Sequence, residues 1–326
     1  MPQVAMRCFF GLAVLVCAET AGSAQADGYP VRPVSIITQT PAGSGPDVIA
    51  RIVADRLAQL WGQPVTIASR PGAAGLVATQ AAAAAAPDGY TLFMPTVSGM
   101  IISPEIQPKF PIDFEKAFAP IGIVGATPMA FAVSRSLGVN SLPELIALAK
   151  KRPGEIMFAG NNRGAFPHLT GELLKSRANI DLRFIPYPGA AAALHDVLGG
   201  RISMMIESPS AIPSAFQAGG ELKAIAVTVP SRLPSFPDVP TVSETLPGLV
   251  AVGWFALLAP AGTPDSVISK LSRDLRGVLG QSAVTKRFEE LGVFARPMSR
   301  DETVQFIRRE RDMWRPVIKG AGLAGE

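Results

Sequence analysis

Two glycine-containing segments carry residue types that could hold an anion. The first, residues 40–47 with the sequence TPAGSGPD, falls between a predicted strand and a predicted helix. The N–H groups and the positive dipole end at a helix start attract a carboxylate or phosphate, and glycine lets a ligand approach the backbone. A P-loop is excluded because no Gly-Lys-Ser/Thr follows, and Val48 stands where a dinucleotide fingerprint needs its third glycine. The alternative interpretation is that Ser44 and Asp47 form only a capping box.

The second segment, residues 160–167 with the sequence GNNRGAFP, also falls between a predicted strand and a predicted helix. It adds Arg163, whose guanidinium can hold a carboxylate through two hydrogen bonds. A solvated surface arginine is the alternative. Because the two segments occupy equivalent places in two halves of the chain, together they favour an anion site.

Residues that could support nucleophilic or metal chemistry are scarce. The only imidazoles are His168 and His195, both in predicted helices, and no Gly-x-Ser-x-Gly turn surrounds any serine. The two cysteines lie at positions 8 and 17, so the Cys/His spacing of a zinc site is missing. We therefore predict no catalytic residue, no metal and no cofactor, and we expect His168 to pack or bond locally in the first turn of its helix.

The composition is that of a globular protein. Of 326 residues, 48% are hydrophobic and 17% are charged, whereas a disordered chain needs the opposite balance. The formal net charge is +4, from 30 basic and 26 acidic residues without a basic run. No nucleic-acid partner is therefore predicted.

The first 26 residues have the pattern of a secretory signal peptide. Arg7 precedes a continuous apolar run, residues 8–18, that is too short to span a bilayer, and small residues ending in Ala24-Gln25-Ala26 follow. Cleavage after Ala26 would remove both cysteines, which suits an oxidising compartment such as the bacterial periplasm. A lipid anchor on Cys17 is the less favoured alternative, because Val16 replaces the small residue expected before it.

Downstream, short β-like runs alternate with amphipathic helices, which predicts an α/β fold. The predicted strands are Val34–Thr38, Val65–Ala68, Thr91–Met94, Ile156–Ala159, Arg183–Ile185, Ile202–Ile206 and Ala224–Thr228. The predicted helices are Ile49–Trp61, Ala78–Ala86, a helix from the capping box of Ser141 and Glu144 to Lys150, Pro167–Ser176, Ala190–Leu198, and two that begin at Thr263-Pro264 and at the capping box of Ser299 and Glu302. Two such runs predict two lobes with a ligand between them, at the C-terminal ends of the strands.

A series of short motifs runs along the exported part of the chain. They are Tyr29-Pro30, Pro41-x-Gly43 with Asp47, Arg70-Pro71-Gly72-Ala73, PDGYTL at 87–92, HLTGE at 168–172, Pro186-Tyr187 with Gly189, PDVPT at 237–241, Trp254, and APAGTP at 259–264. In this order and spacing, the chain resembles the periplasmic solute-binding receptors of tripartite tricarboxylate transporters, the Bug family.

The resemblance implies a type II periplasmic binding-protein fold, with two doubly wound lobes and a hinge of two crossing strands. Residues 27–122 plus 228–326 would form lobe 1, and residues 123–227 would form lobe 2. The resemblance also implies a monomeric receptor that binds a small organic acid and delivers it unchanged to membrane permease subunits. Its localisation would be periplasmic.

Carried over by position, the resemblance implies a set of ligand-binding residues. In the first strand–helix segment these are Thr40, Pro41, Ala42, Gly43, Ser44 and Asp47, and in the second they are Arg163, Gly164, Ala165, Phe166 and His168. Thr96, Ser98, Tyr187 and Gly189 would complete the sides of the cleft. The family usually has an aromatic residue at position 40, a glycine at 44, hydroxyl residues at 165 and 166, and a basic residue where Pro188 stands. These departures suggest a ligand with an apolar or aromatic body and one carboxylate, with Phe166 as a core residue an equal alternative.

Two alternatives share the exported α/β scaffold. An exported α/β hydrolase would need an assembled nucleophile and base, which the sequence does not offer. A receptor that feeds a membrane sensor kinase would have the same ligand site and would differ only in its partner.

Overall fold

The computed structural model describes residues 28–107, 110–217 and 219–325, so the predicted signal peptide, residues 1–26, lies outside the described residues. The described chain forms two mixed β-sheets flanked by helices. The strands are β1 (Val34–Thr38), β2 (Val65–Ser69), β3 (Thr91–Met94), β4 (Phe118–Pro128), β5 (Ala130–Ser134), β6 (Met157–Asn161), β7 (Arg183–Tyr187), β8 (Met204–Glu207), β9 (Leu222–Val227), β10 (Val252–Pro260) and β11 (Phe294–Ala295).

The helices connect and cover these strands. They are α1 (Gly45–Trp61), α2 (Leu76–Ala83), α3 (Ser103–Ile106), α4 (Phe114–Ala117), α5 (Leu142–Lys151), α6 (Phe166–Ala178), α7 (Ala190–Leu198), α8 (Asp265–Leu279), α9 (Ser282–Glu290) and α10 (Arg300–Gly320), with a π-helical turn at Ser98–Ile102 before α3. None of the described helices combines the length and apolar character needed to cross a membrane.

The two sheets have similar architecture. The first has the strand order β11-β4-β10-β3-β1-β2, and the second has the order β7-β6-β8-β5-β9. In the first, β1 pairs in parallel with β2 and β3, and in the second β6 pairs in parallel with β7 and β8. Each sheet therefore has a parallel block whose strands end at one edge. Helices α1 and α6 begin at those edges. We call the half built on the first sheet lobe 1 and the other half lobe 2.

The predicted strands are all present, with ends shifted by no more than two residues. Helix α2 ends at Ala83, three residues before its predicted end at Ala86. Strands β4, β5 and β10 were not predicted. Their side chains are buried along most of their length, so their sequences lack the alternation that marks a strand with one solvated face.

The two predicted capping boxes differ in detail. At α10, the Ser299 N–H donates to Glu302 at 2.8 Å and the Glu302 N–H donates to the Ser299 hydroxyl at 3.3 Å, as predicted. At α5, the Ser141 hydroxyl accepts from the Glu144 N–H, but the Glu144 carboxylate accepts from the N–H of Asn140 at 2.8 Å. That reciprocal bond is therefore displaced by one residue from the predicted box.

A buried stripe along α8 anchors it on the first sheet. Val267, Leu271, Leu275 and Val278 recur at helical spacing and are at most 1% exposed. Each such side chain contributes roughly 1.5–3 kcal/mol when it is fully removed from water. The stripe therefore packs α8 on β4, a strand that leads towards the other lobe.

The two lobes are joined where the chain crosses between the sheets. The chain leaves the first sheet after Pro128 and enters the second at Ala130, and it returns between Val227 and Val252. The Met129 N–H donates to the Thr228 hydroxyl at 2.9 Å, and the Thr228 N–H donates to the Met129 carbonyl at 2.9 Å. These bonds hold the two crossing segments side by side.

The predicted lobe boundaries fall close to these crossings. The boundary between residues 122 and 123 lies inside β4, and the boundary between residues 227 and 228 lies at the end of β9. The limits of the lobes as independent units stay a prediction.

The C-terminal helix contacts both lobes. The carboxylate of Glu310 in α10 is buried and accepts from the indole N–H groups of Trp254 at 2.8 Å and Trp314 at 3.2 Å. Burial raises the pKa of Glu310, although both indole hydrogen bonds oppose this. The Trp314 ring packs edge-on against Phe166 at the start of α6, with centroids 5.2 Å apart. Helix α10 thereby links β10 of lobe 1 to the first turn of α6 in lobe 2.

The hinge contact predicts the effect of Thr228→Val. Valine keeps the shape of the buried threonine but leaves the Met129 N–H without an acceptor, and the free energy of unfolding should fall by about 1–3 kcal/mol. Urea unfolding followed by circular dichroism measures this loss.

Thr285→Val in α9 is the matched control for this substitution. The Thr285 hydroxyl donates to the Gln281 carbonyl of its own helix on a partly exposed face, so its removal should cost less than about 0.5 kcal/mol. Equal losses in the two variants would contradict a special role of the hinge hydrogen bonds.

Candidate functional site

A cavity of about 530 Å³ lies where loops of the two lobes face each other. Lobe 1 contributes the segments that follow β1, β2 and β3, and lobe 2 contributes the loop between β6 and α6. Ligands of open α/β sheets bind at the C-terminal ends of the strands, and the cavity has this position.

Several sequence-predicted residues line the cavity. These are Thr40, Pro41, Thr96 and Ser98 from lobe 1, and Arg163, Gly164 and Ala165 from lobe 2. The structure adds lining residues that the sequence did not single out as binding residues, which are Gln39, Pro71, Gly72, Ala74, Gly75, Ile102, Ser103, Ile106, Gln107 and Asn162. Pro71 and Gly72 belong to the motif Arg70-Pro71-Gly72-Ala73, which contributes to the family resemblance. That motif was the one sequence signal that could have identified them as cavity residues.

The first loop uses much of its own hydrogen-bonding capacity. The Gly43 N–H donates to Asp47 Oδ2 at 2.8 Å, and the Ser44 N–H donates to the Pro41 carbonyl at 3.2 Å. The Ser44 hydroxyl also donates to the Pro41 carbonyl, at 2.6 Å, so the capping box of Ser44 and Asp47 does not form. Ala42, Gly43, Ser44 and Asp47 lie next to the cavity in sequence but are not among its lining residues.

Asp47 is fully buried in the first turn of α1. Its carboxylate accepts from Gly43 and, at 2.8 Å, from Arg51 Nε one helical turn later. Burial alone would raise the pKa of Asp47, but the hydrogen bonds from Arg51 and Gly43 outweigh burial and lower it. The charged carboxylate therefore stabilises the loop conformation at neutral pH.

The second loop is held by the same kind of contact. The Gly164 N–H donates to His168 Nδ1 at 2.9 Å, and the Ala165 N–H donates to the Asn162 carbonyl at 3.0 Å. The His168 ring is buried and stacks on Phe184 with centroids 3.8 Å apart. His168 thus bonds locally in the first turn of its helix, as its sequence position indicated. Its bond with the Gly164 N–H holds the loop against the start of α6.

The remaining predicted residues lie outside the cavity. Phe166 is 6% exposed and packs on Trp314, so its place is that of a core residue and not of a cavity wall. The Tyr187 hydroxyl donates to Asp196 at 2.6 Å, and burial together with this bond raises the pKa of Tyr187 to about 12. The Tyr187 carbonyl accepts from the Asn162 N–H at 3.2 Å, and Gly189 precedes α7.

Charge in the cavity is concentrated on one residue. Arg163 is the single ionised side chain among the described lining residues, and its side chain is exposed. The other polar lining groups are amides and hydroxyls, and Pro41, Pro71, Ile102 and Ile106 supply apolar surface. The cavity thus combines one cationic side chain with neutral polar groups and apolar surface.

No group of three or more His, Cys, Asp or Glu side chains within the described ranges is arranged to hold a metal ion.

Two α/β lobes joined by paired crossing segments, with a cavity of this size between them, define a solute-binding protein.

The chain belongs to the tripartite tricarboxylate transporter family of receptors, whose family model matches residues 49–323. This confirms the resemblance found in the sequence. It also identifies the chain as a solute-binding receptor and not an enzyme. A curated relative, the protein BugT of Bordetella pertussis, is 36% identical over 310 residues, which cover 94% of this chain and 95% of BugT.

Solved structures of related receptors confirm the type II periplasmic binding-protein fold. R. palustris Rpa4515 with adipate is 30% identical with a TM-score of 0.76, and the match covers 91% of this chain and 99% of that one. MatC from Rhodopseudomonas palustris with bound malate is 27% identical with a TM-score of 0.71, over 89% of this chain and 100% of that one.

The buried carboxylate of the first loop predicts a pH-dependent effect of Asp47→Asn. At neutral pH the variant should lose about 1–2 kcal/mol, because the ion pair with Arg51 and the interaction with the helix dipole are removed. The lowered pKa means that wild-type Asp47 contributes this stability above the ordinary value of 3.8 and loses it as the pH falls through the lowered pKa. Unfolding measured from neutral to strongly acidic pH should show the difference between the two proteins shrink.

Asp55→Asn removes a carboxylate from the exposed face of the same helix and is the matched control. It should change stability by less than about 0.5 kcal/mol. A stability difference for Asp47→Asn that stays constant down to acidic pH would contradict the assigned role of the charge.

Proposed function

We propose that this chain is a periplasmic receptor that captures a small organic acid between its lobes. We further propose that it delivers the acid unchanged to the permease subunits of a tripartite tricarboxylate transporter. The observation that carries the proposal is the interlobe cavity, with Arg163 as its charged residue among the described lining. A guanidinium binds a carboxylate through charge-assisted hydrogen bonds, which are stronger than neutral ones.

The related structures support an acid as the ligand. Rpa4515 was solved with adipate and MatC with malate, and both ligands are carboxylates. In this chain the cavity presents one arginine and otherwise neutral groups, which favours a single carboxylate in contact with the protein. An apolar body would lie against Ile102 and Ile106.

Contact between the lobes at the cavity edge supports capture by closure. A Cβ atom at Gly164 of lobe 2 would lie 2.8 Å from Ile106 Cδ1 of lobe 1, so the lobes approach closely here and the Ile106 side chain would have to shift to admit a larger residue. Gly164 also has a φ of +78°, which favours glycine for conformational reasons. This close approach between the β6–α6 loop and α3 favours a cavity from which water is excluded once a ligand is bound.

We also propose that the protein is exported to the periplasm. A signal peptide cleaved after Ala26 would release residues 27–326 as a monomer into the periplasm. The membrane partner would be a permease. Copurification of the ligand-loaded receptor with a membrane sensor kinase in place of a permease would instead favour the signalling alternative.

Binding of acids tests the proposal directly. Thermal unfolding with a panel of aromatic and aliphatic monocarboxylates, citrate and malate should identify a stabilising acid, since a ligand at 100 times its dissociation constant adds about 2.7 kcal/mol. Calorimetry then gives its affinity. Arg163→Ala should weaken that affinity by about tenfold to a hundredfold, because it removes a charge-assisted contact.

Arg152→Ala is the matched control, since Arg152 is exposed at the end of α5 and pairs with Glu155 at 2.8 Å. Its affinity for the same acid should equal that of the wild type. Unchanged affinity in Arg163→Ala would show that Arg163 does not contact the ligand. Tighter binding of citrate and malate than of every monocarboxylate would reject a ligand with a single carboxylate. If the protein bound no acid at all, the receptor function would be refuted.

A further inference from the structure

A second cavity, of about 380 Å³, lies on the flank of lobe 1. Its walls are α10, α4 and the paired ends of β4 and β10, where Pro120 lies opposite Leu258. We call it the flank cavity. Among the described residues, none lines both this cavity and the cavity between the lobes. A molecule bound here would therefore be additional to the acid bound between the lobes.

The floor of the flank cavity is apolar and belongs to the core of the protein. Phe114, Phe118 and Leu258 line it, and each is at most 5% exposed. The Phe114 and Phe118 rings pack on each other with centroids 5.4 Å apart. Met100 and Ile307 extend this floor. An alkyl chain that covers such a surface gains binding free energy in proportion to the apolar area removed from water.

The π-helical turn before α3 lies between the two cavities. It places Met100 in the floor of the flank cavity and places Ser98 and Ile102 in the lining of the interlobe cavity. Such turns are rare and occur frequently at functional sites. The position of this turn supports a functional role for this part of lobe 1.

The rim of the flank cavity is cationic. Helix α10 contributes Arg300, Arg308 and Arg311, which recur at helical spacing together with Val304 and so lie on one face of the helix. Glu115 is the one carboxylate among the described lining residues. Three arginines against one glutamate give the lining a net charge of +2, which attracts an anion.

Two of these arginines are paired with carboxylates and the third is not. Arg300 Nη1 lies 2.9 Å from Asp265 Oδ1, and Arg311 Nη1 lies 2.5 Å from Glu115 Oε1. Arg308 is exposed, and within the described ranges it makes neither an ion pair nor a side-chain hydrogen bond. Its guanidinium can therefore bind an anion at the rim without breaking an existing contact.

A guanidinium beside an apolar floor favours an amphipathic anion. The guanidinium holds a carboxylate through two parallel hydrogen bonds. Because solvent and salt screen an exposed charge, this contact alone binds a small hydrophilic anion weakly. An anion with an apolar chain also buries that chain on the floor, so it is favoured over acids of the same charge without a chain.

We propose that the flank cavity is a second binding site, which takes a monocarboxylate with an apolar chain of medium length. The carboxylate pairs with Arg308, and the chain lies on Phe114, Phe118 and Leu258. This inference does not depend on the ligand proposed for the interlobe cavity, because the two sites have no described lining residue in common.

Calorimetry with three probes tests this site. They are octanoate, acetate, which lacks the chain, and 1-octanol, which lacks the charge. The exported protein is used with its interlobe cavity saturated by the acid that the thermal-unfolding panel identifies, or alone if the panel identifies none. Octanoate should bind at least tenfold more tightly than acetate or 1-octanol, because it contacts both the floor and Arg308.

Two variants change the site in different ways. Arg308→Gln removes the charge of an exposed side chain and should weaken octanoate binding by about tenfold. Val304→Phe keeps the charge and fills part of the cavity from a half-buried rim position, so it should weaken octanoate binding as well. Arg309→Gln is the closest control, since Arg309 is the exposed neighbour of Arg308 and does not line the cavity. It should bind octanoate like the wild type.

Several results would overturn this inference. Equal effects of Arg308→Gln and Arg309→Gln would make Arg308 a solvated surface charge only. Equal binding of octanoate and acetate would show that the floor is not used, and absence of octanoate binding would remove the site. Octanoate binding that Arg163→Ala abolishes and Arg308→Gln leaves unchanged would place the acid between the lobes. Each of these results leaves the receptor function intact, which the panel of acids tests separately.

Discussion

The cleft depends on one kind of contact that recurs in both lobes. In each strand–helix loop, a glycine N–H donates to a side chain four residues later, from Gly43 to Asp47 and from Gly164 to His168. Both acceptors are buried in the first turn of the following helix, so each loop is fixed to its own helix. These N–H groups are consequently occupied by the protein itself, and recognition passes to the side chains that the fixed loops present.

Because each loop is tied to its own lobe, the geometry of the cavity depends on how the two lobes are placed relative to each other. That relation is governed by the crossing segments, where Met129 and Thr228 pair, and by α10. Through Trp314, α10 contacts Phe166, two residues before His168 in the same helix turn. The contact that holds the second loop and the contact that links the lobes therefore meet in the first turn of α6.

The sequence predicts the parts of this arrangement that local patterns encode. The parallel blocks follow from alternating strand and helix signals, and Pro41 and Arg163 were found because they follow predicted strands. Strands β4 and β10 were missed because burial on both faces removes their periodicity. The cavity residue Gln39 was missed for a different reason: its side chain packs against Gly75 and Gly99, which are distant in sequence, and no pattern near Gln39 signals that contact.

Affinity and selectivity in this cavity have different physical sources. An exposed arginine attracts any small carboxylate, but solvent and salt screen that attraction, so it separates acids from neutral solutes and discriminates little among acids. Discrimination among acids needs buried neutral groups, for which a wrong ligand leaves hydrogen bonds unmade. The amide of Gln39 and the hydroxyls of Thr96 and Ser98 are partly buried neutral groups that line this cavity. A receptor with one screened charge and several neutral polar groups in its cavity can thus be selective without binding so tightly that release to a membrane partner becomes slow.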